Sequence, residues 1–160
     1  NNKPSAIRYP RDFAYEYNNN NNFQKILIGK GKILKKGKRI AFLNLGTRLK
    51  KVLEINEMIK NHHKLNCTVV DMRFAKPIDT KLIQNLNKTH DIFITIEENA
   101  IGGFSSQVND FLINKLNKTP KILNFFMKDE FIDQSDIDDQ YNKSGISKEL
   151  IFDKVSMLLK

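Results

Sequence analysis

The chain has 160 residues, 40% of them hydrophobic and 28% charged, with a formal net charge of +9. That is enough apolar material for one domain of ordinary size plus an appendage, and no apolar run nears the roughly 18 residues of a membrane-spanning helix. Cys67 is the single cysteine, which excludes an internal disulfide and fits a reducing compartment, and no basic segment followed by an apolar one reads as a signal peptide.

The basic excess belongs to one end. Residues 1–60 hold fourteen Lys/Arg against four Asp/Glu, and residues 61–160 hold thirteen against fourteen. It is densest at Lys30, Lys32, Lys35, Lys36, Lys38 and Arg39. Only five of the twenty-seven basic residues are arginine, the side chain suited to bidentate phosphate and base contacts. Aromatics do not interleave with the lysines, so a solvated lysine-rich face fits better than a nucleic-acid surface.

In chain order, "SAIRYPRDF" (Ser5–Phe13) reads as a strand ending. Ala6 and Ile7 are its last apolar positions, and Pro10 stops it because proline has no ladder N–H and holds the preceding residue extended. Asn18–Asn22 is a low-complexity run that reads as a flexible linker. "ILIGKGKILKKGKRIAFLNLG" then gives two β-rich runs around Lys35–Lys38, a hairpin or a strand-turn-strand. Arg39–Leu45 is a strand ending at Gly46, and Thr47 could cap a helix to about His62, with Leu49, Val52, Leu53 and Ile59 on one face. Leu65–Asp71 is a buried-type strand. Asp79 or Thr80 can cap a short helix to about Asn87. Asp91–Glu97 is a third strand, and the helix near Ser105–Asn117 spaces Phe104, Val108, Phe111, Leu112 and Leu116 by four, three, one and four. Lys121–Phe126 is a fourth strand and Ser147–Leu159 a closing helix. Strands alternating with helices predict a parallel sheet covered on both faces.

No catalytic constellation emerges from the residues alone. His62 and His63 fall at a helix end, where an imidazolium suits the dipole. His90 sits in a loop before a strand without a second histidine at ligand spacing, and Cys67 reads as a small buried hydrophobe. "EENAIGGFSS" (Glu97–Ser106) leads from a strand through a glycine pair to a helix N-terminus, a geometry that can cradle phosphate. Glu97 and Glu98 would oppose an anion there, and neither G-x-G-x-x-G nor a P-loop is present, so turn geometry is the preferred reading. In "VVDMRFAKPID" (Val69–Asp79), Arg73 between two aspartates could form an ion pair that shapes the loop.

"AIRYPR", "IGKGKIL", "VVDMRFAKPID", "ITIEENAIGGFSSQV" and "FMKDEFID", in this order, resemble the C-terminal region of the 1-deoxy-D-xylulose-5-phosphate synthases. These belong to the transketolase-like, thiamine-diphosphate-dependent enzymes. "RF-KP-D" and "EEN-GG" are shared loosely with the β subunits of 2-oxoacid dehydrogenases, whereas "AIRYPR", "F--DEFI" and the closing "SGIS" favour the synthases. The resemblance implies a three-layer α/β/α sandwich with a five-stranded, mostly parallel mixed sheet whose first strand is antiparallel. It divides the chain into residues 1–17, the last strand and exit of an upstream pyrimidine-binding domain; 18–24, the asparagine-rich linker; and 25–160, a transketolase-like C-terminal domain.

For function, the resemblance implies the tail of a larger transferase in the isoprenoid precursor pathway. There the thiamine ylid adds to pyruvate, carbon dioxide leaves, and the enamine attacks glyceraldehyde 3-phosphate to give 1-deoxy-D-xylulose 5-phosphate. Thiamine diphosphate and Mg2+ would bind in the upstream domains, so Glu97 and Glu98 receive no cofactor role and the fragment alone is expected to be inactive. Arg8 matches the arginine that reaches the sugar phosphate, as suits a guanidinium released at a strand end. Arg11 could assist or could simply be an exposed turn residue; Asp12, where relatives have glycine, lowers the positive potential beside it. The expected partners are the upstream domains of the same polypeptide and a second copy in a homodimer, with no nucleic acid and no membrane. The expected location is a plastid (apicoplast) in a eukaryotic parasite, as the asparagine and lysine bias suggests, or the cytoplasm of a bacterium. The competing reading is a non-catalytic assembly module like the C-terminal domain of a 2-oxoacid dehydrogenase E1 β subunit.

Overall fold

A computed structural model describes residues 3–7, 9 and 25–159. Strand β1 (Lys32–Lys35) is followed by β2 (Arg39–Asn44), α1 (Leu49–His63), β3 (Thr68–Asp71), α2 (Thr80–Asn87) and β4 (His90–Ile96). Helix α3 (Phe104–Lys115), β5 (Lys121–Phe125), α4 (Ile137–Ser144) and α5 (Lys148–Met157) complete the order. One five-stranded sheet runs β1-β3-β2-β4-β5, with β1 antiparallel to β3 and every other pairing parallel.

The central strands β2, β3 and β4 are buried on both faces, as a parallel sheet between helices requires, while the edge strands β1 and β5 are only partly covered. On β2 the side chains alternate: Ile40 and Phe42 pack with Val52, Ile55 and Ile59 of α1 and Ile151 and Val155 of α5. Ala41 and Leu43 face Ile83 and Leu86 of α2 and Phe104, Val108 and Leu112 of α3. The expected three-layer sandwich with a mixed sheet is therefore the observed fold.

The hairpin is not formed. β1 and β2 are joined by Lys36–Lys38 yet do not pair, because β3 lies between them. The connection crosses the start of β3 at close quarters: Lys38 N donates to Asn66 O at 2.8 Å and Gly37 N to Thr68 Oγ1 at 3.0 Å. A Cβ on Gly37 would overlap the Asn66 backbone, so only glycine passes here. A short link rich in turn residues reads as a hairpin; the central position of the more apolar β2 overrides it.

Smaller differences have local causes. Thr47 does not cap α1. The N-cap is Arg48, which makes no side-chain cap bond, because the Thr47 hydroxyl donates to Glu98 Oε1 instead. β3 starts at Thr68 rather than Leu65, and α4 has no counterpart in the sequence reading, its apolar positions being too few to set a period. Ser5–Ile7, read as a strand end, form no strand among the described residues and are exposed. Asn18–Asn22 lie outside the described residues.

Candidate functional site

The carboxyl ends of the parallel strands are where an open α/β sheet offers a crevice, at the point where successive connections leave in opposite directions. Here that point lies between β2 and β4. A cavity of about 380 Å3 opens there, lined by Gly46, Thr47, Lys76, Glu97, Gly103 and Gln107 among others. Gly46 (φ 90°) and Gly102 (φ 97°) turn the chain in the left-handed region that glycine enters without strain.

The two carboxylates at this edge are already engaged. Glu97, 2% exposed, accepts from Phe104 N at 2.8 Å and Ser105 N at 2.7 Å, one bond to each of its oxygens. It thereby occupies the first-turn N–H groups of α3, where a phosphate would otherwise sit. Glu98 Oε1 accepts from the Thr47 and Tyr141 hydroxyls, tying the entry of α1 to α4. Arg48 stacks on the Tyr141 ring at 3.7 Å, and its Nη2 donates to Ile146 O at 3.1 Å. Burial, then the hydrogen bond to Glu98, raise the Tyr141 phenol above its ordinary range.

The preceding connection is organised by ion pairs. Arg73 N donates to Asp71 Oδ1 at 3.2 Å and Arg73 Nε lies 3.6 Å from Asp71 Oδ2. Arg73 thus pairs with Asp71 and does not bridge to Asp79. Asp79 instead caps α2, accepting from Leu82 N at 3.1 Å, and also takes Gly31 N at 3.2 Å and Lys30 Nζ at 3.4 Å.

The other residues singled out in the sequence are structural. His90 is the first residue of β4 rather than a loop residue. It is 4% exposed, with Nε2 at 2.8 Å from Thr68 Oγ1 and Nδ1 at 3.0 Å from Leu86 O. His63 Nε2 lies 2.9 Å from Ser156 Oγ, and both His62 and His63 meet Phe152, joining the end of α1 to α5. Cys67 is fully buried, and burial pushes its thiol up to about 12, so it is no nucleophile near neutral pH. Arg8 and Arg11 lie outside the described residues.

The described residues do not fit a magnesium–diphosphate group. No three His, Cys, Asp or Glu among them converge on a point, and Glu97 fills the α3 N-terminus. Sequence reasoning saw in Glu97 a charge hostile to anions. It missed that Glu97 is itself the anion at that helix end, and missed the Thr47–Glu98–Tyr141 cluster; only the E-E…G-G-F/S spacing hinted at the first, and nothing local signalled the second.

Comparison with known proteins bears on the family and the fold. The family described as "Transketolase, C-terminal domain" matches residues 29–151. The chain is 48% identical over 139 residues to the 1-deoxy-D-xylulose-5-phosphate synthase of Aliivibrio fischeri strain MJ11, covering 82% of this chain and 21% of that protein. It is 40% identical over 156 residues to the synthase of Psychromonas ingrahamii, covering 94% and 24%. The chain therefore spans about a quarter of the length of the curated relatives it matches. Among solved structures, a split gene transketolase described as an inactive beta4 tetramer superposes with a TM-score of 0.76 at 28% identity, covering 85% of this chain and 44% of that one. Campylobacter jejuni transketolase shares the fold, with a TM-score of 0.53 at 17% identity over 81% of this chain and 18% of that one. From its sheet order to the match across residues 29–151, the chain belongs to the transketolase C-terminal domain family.

Proposed function

We propose that this chain is the C-terminal part of a thiamine-diphosphate-dependent 1-deoxy-D-xylulose-5-phosphate synthase that joins pyruvate and glyceraldehyde 3-phosphate with loss of carbon dioxide. The observation that carries the reading is the 48% identity over 139 residues to the Aliivibrio fischeri enzyme. In this reading the domain packs and assembles, while the cofactor, held with Mg2+, does its electronic work elsewhere in a longer polypeptide. The engaged state of Glu97 and Glu98 supports that division of labour. A homodimer, and a plastid location in a eukaryotic parasite or the cytoplasm in a bacterium, belong to the same proposal.

Arg8 is the residue of this chain that we place on the substrate, gripping the phosphate of glyceraldehyde 3-phosphate, with Arg11 in a lesser supporting role. A charge-assisted contact to phosphate contributes about 1.5–3 kcal/mol, or roughly ten- to hundred-and-fiftyfold. In the longer polypeptide, Arg8→Ala should weaken use of glyceraldehyde 3-phosphate by about that factor and leave pyruvate decarboxylation nearly unchanged. Arg8→Lys should recover part of the loss, since a point charge replaces a fork. Equal losses for both substrates with a lowered melting temperature would mean that Arg8 only holds the domain boundary. Failure of the unsubstituted polypeptide to form 1-deoxy-D-xylulose 5-phosphate with cofactor present would overturn the reading altogether.

A further inference from the structure

The two edges of the sheet differ in chemistry. At the amino ends of the parallel strands stand Lys36, Lys38, Arg39, Lys64, Lys88 and Lys118, all exposed. At the carboxyl ends stand Ile101 (68% exposed), in the loop after β4, and Phe131 (107%), in the loop after β5. Between those two loops lies a cleft of about 430 Å3. Because β1 is antiparallel, with Lys32 opposite Asp71, the segment leading into it lies at this same edge. There Ile26 (57%), Leu27 (60%) and Ile28 (78%) form a consecutive exposed apolar run, next to Gly29, whose Cβ position is filled by Pro77. The remaining strongly exposed large apolar residues of 25–159, Ile113, Ile137 and Met157, are scattered over three helices.

Five large apolar side chains gathered at one edge of a small domain, against single ones spread over helices elsewhere among the described residues, mark an interaction surface. The loops that carry two of them are fixed in place: Met127 N donates to Asn99 O at 2.9 Å, holding the β5 exit to the β4 exit, and Gln140 Nε2 donates to Asp133 O. Such loops present Phe131 and Ile101 in a defined position, as an anchor residue needs.

We infer that this carboxyl edge is the surface on which the polypeptide preceding residue 25 docks within the same molecule, an apolar patch of that polypeptide covering Leu27, Ile101 and Phe131. The inference rests on the reading of the chain as part of a longer synthase. Three observations favour this occupant over a second copy of the domain. The chain reaches the edge through residues 25–31, so whatever precedes is tethered beside the patch at high effective concentration. The family match begins at residue 29, which leaves Ile26–Ile28 at the junction. The matched synthases devote about three quarters of their length to sequence outside the match.

The test uses the longer polypeptide with Leu27→Cys, Ile101→Cys, Phe131→Cys or, as an exposed reference, Lys36→Cys, each alkylated at native pH and quantified by mass spectrometry at that position. The three edge cysteines should label at least about tenfold more slowly than the one at position 36, since they react only through local opening. Labelling as fast as the reference would overturn the inference. A photo-reactive benzophenone at position 131, in a mixture of isotopically heavy and light copies, identifies the occupant. Cross-links from light to light and heavy to heavy, ending on sequence before residue 25, support it. Heavy-to-light links, or links ending within residues 25–159, overturn it in favour of a second copy. Product formation by the same sample separates the two readings: an active enzyme with a freely labelled edge fails the inference alone, and an inactive polypeptide with a protected edge fails only the functional reading.

Discussion

Asp79 and Glu97 each bring a buried carboxylate to the start of a helix at the carboxyl edge of the sheet, but over different ranges. Asp79, 6% exposed, is the residue immediately before α2 and accepts from Leu82 N within its own helix start. Glu97, 2% exposed, directly follows β4, seven residues ahead of Phe104, and reaches across the Ile101–Gly103 turn to close α3. Asp79 also meets a cation, Lys30, whereas Glu97 has no ion-pair partner among the described residues and depends on the helix N–H groups alone. A cap within the helix is a local device that tolerates change around it. A cap supplied from a strand end works only if strand, turn and helix are all in place, so it fastens the β4–α3 unit as a whole.

That difference can be broken most severely at Glu97. Glu97→Ala leaves two buried N–H groups without an acceptor, at about 1–3 kcal/mol each, so chemical denaturation should show a loss of roughly 2–6 kcal/mol. Glu97→Gln keeps one acceptor oxygen and should lose about half as much.

Gly103→Ala comes next. Its Cβ would overlap Glu97 Oε2 and lie 2.8 Å from Asn99 Nδ2, although its φ of −79° suits any residue. Overpacking of this kind costs about 1–3 kcal/mol. The two sites share the space, so in a Glu97→Ala background the cost of Gly103→Ala should fall to what the Asn99 contact leaves. A double-mutant cycle that came out additive would show that Glu97 and Gly103 do not meet.

Asp79→Ala should cost about 0.5–2 kcal/mol, the usual range for losing an N-cap, and Asp79→Asn much less. The Lys30 contact adds little because Lys30 is half exposed.

The smallest effect concerns Tyr141, whose phenol is raised by burial and by Glu98. A raised value means stability that is intact below the ordinary tyrosine range near 10 and lost as pH climbs through the folded value. Tyr141→Phe should cost under about 1 kcal/mol at neutral pH and flatten the alkaline limb of the stability curve. Cys67, raised to about 12, titrates in an overlapping window, so the comparison is cleanest in a Cys67→Ala background.

The same distinction of range explains what could be read from the sequence. Asp79, the faces of α1 and α3 and the alternation of β2 are set by residues within one element, where spacing alone fixes which side chains meet. The order β1-β3-β2 depends on the Gly37 backbone passing Asn66 and Thr68, thirty residues away, and a short lysine-glycine link could not announce it. Glu97 was visible as a charge beside two glycines but not as the acceptor for Phe104 and Ser105, since that role needs the turn. Thr47 illustrates the reverse case: a good local cap drawn away by a distant acceptor, Glu98.

With both helix ends closed by the domain's own carboxylates, we propose that a diphosphate cofactor is held elsewhere. Titrating thiamine diphosphate with Mg2+ into folded residues 1–160 in a calorimeter tests it most directly, with a cooperative melting curve establishing that the sample is folded. The account predicts no saturable heat. Saturable binding that Glu97→Ala strengthens or abolishes would place the cofactor at the α3 N-terminus and contradict it.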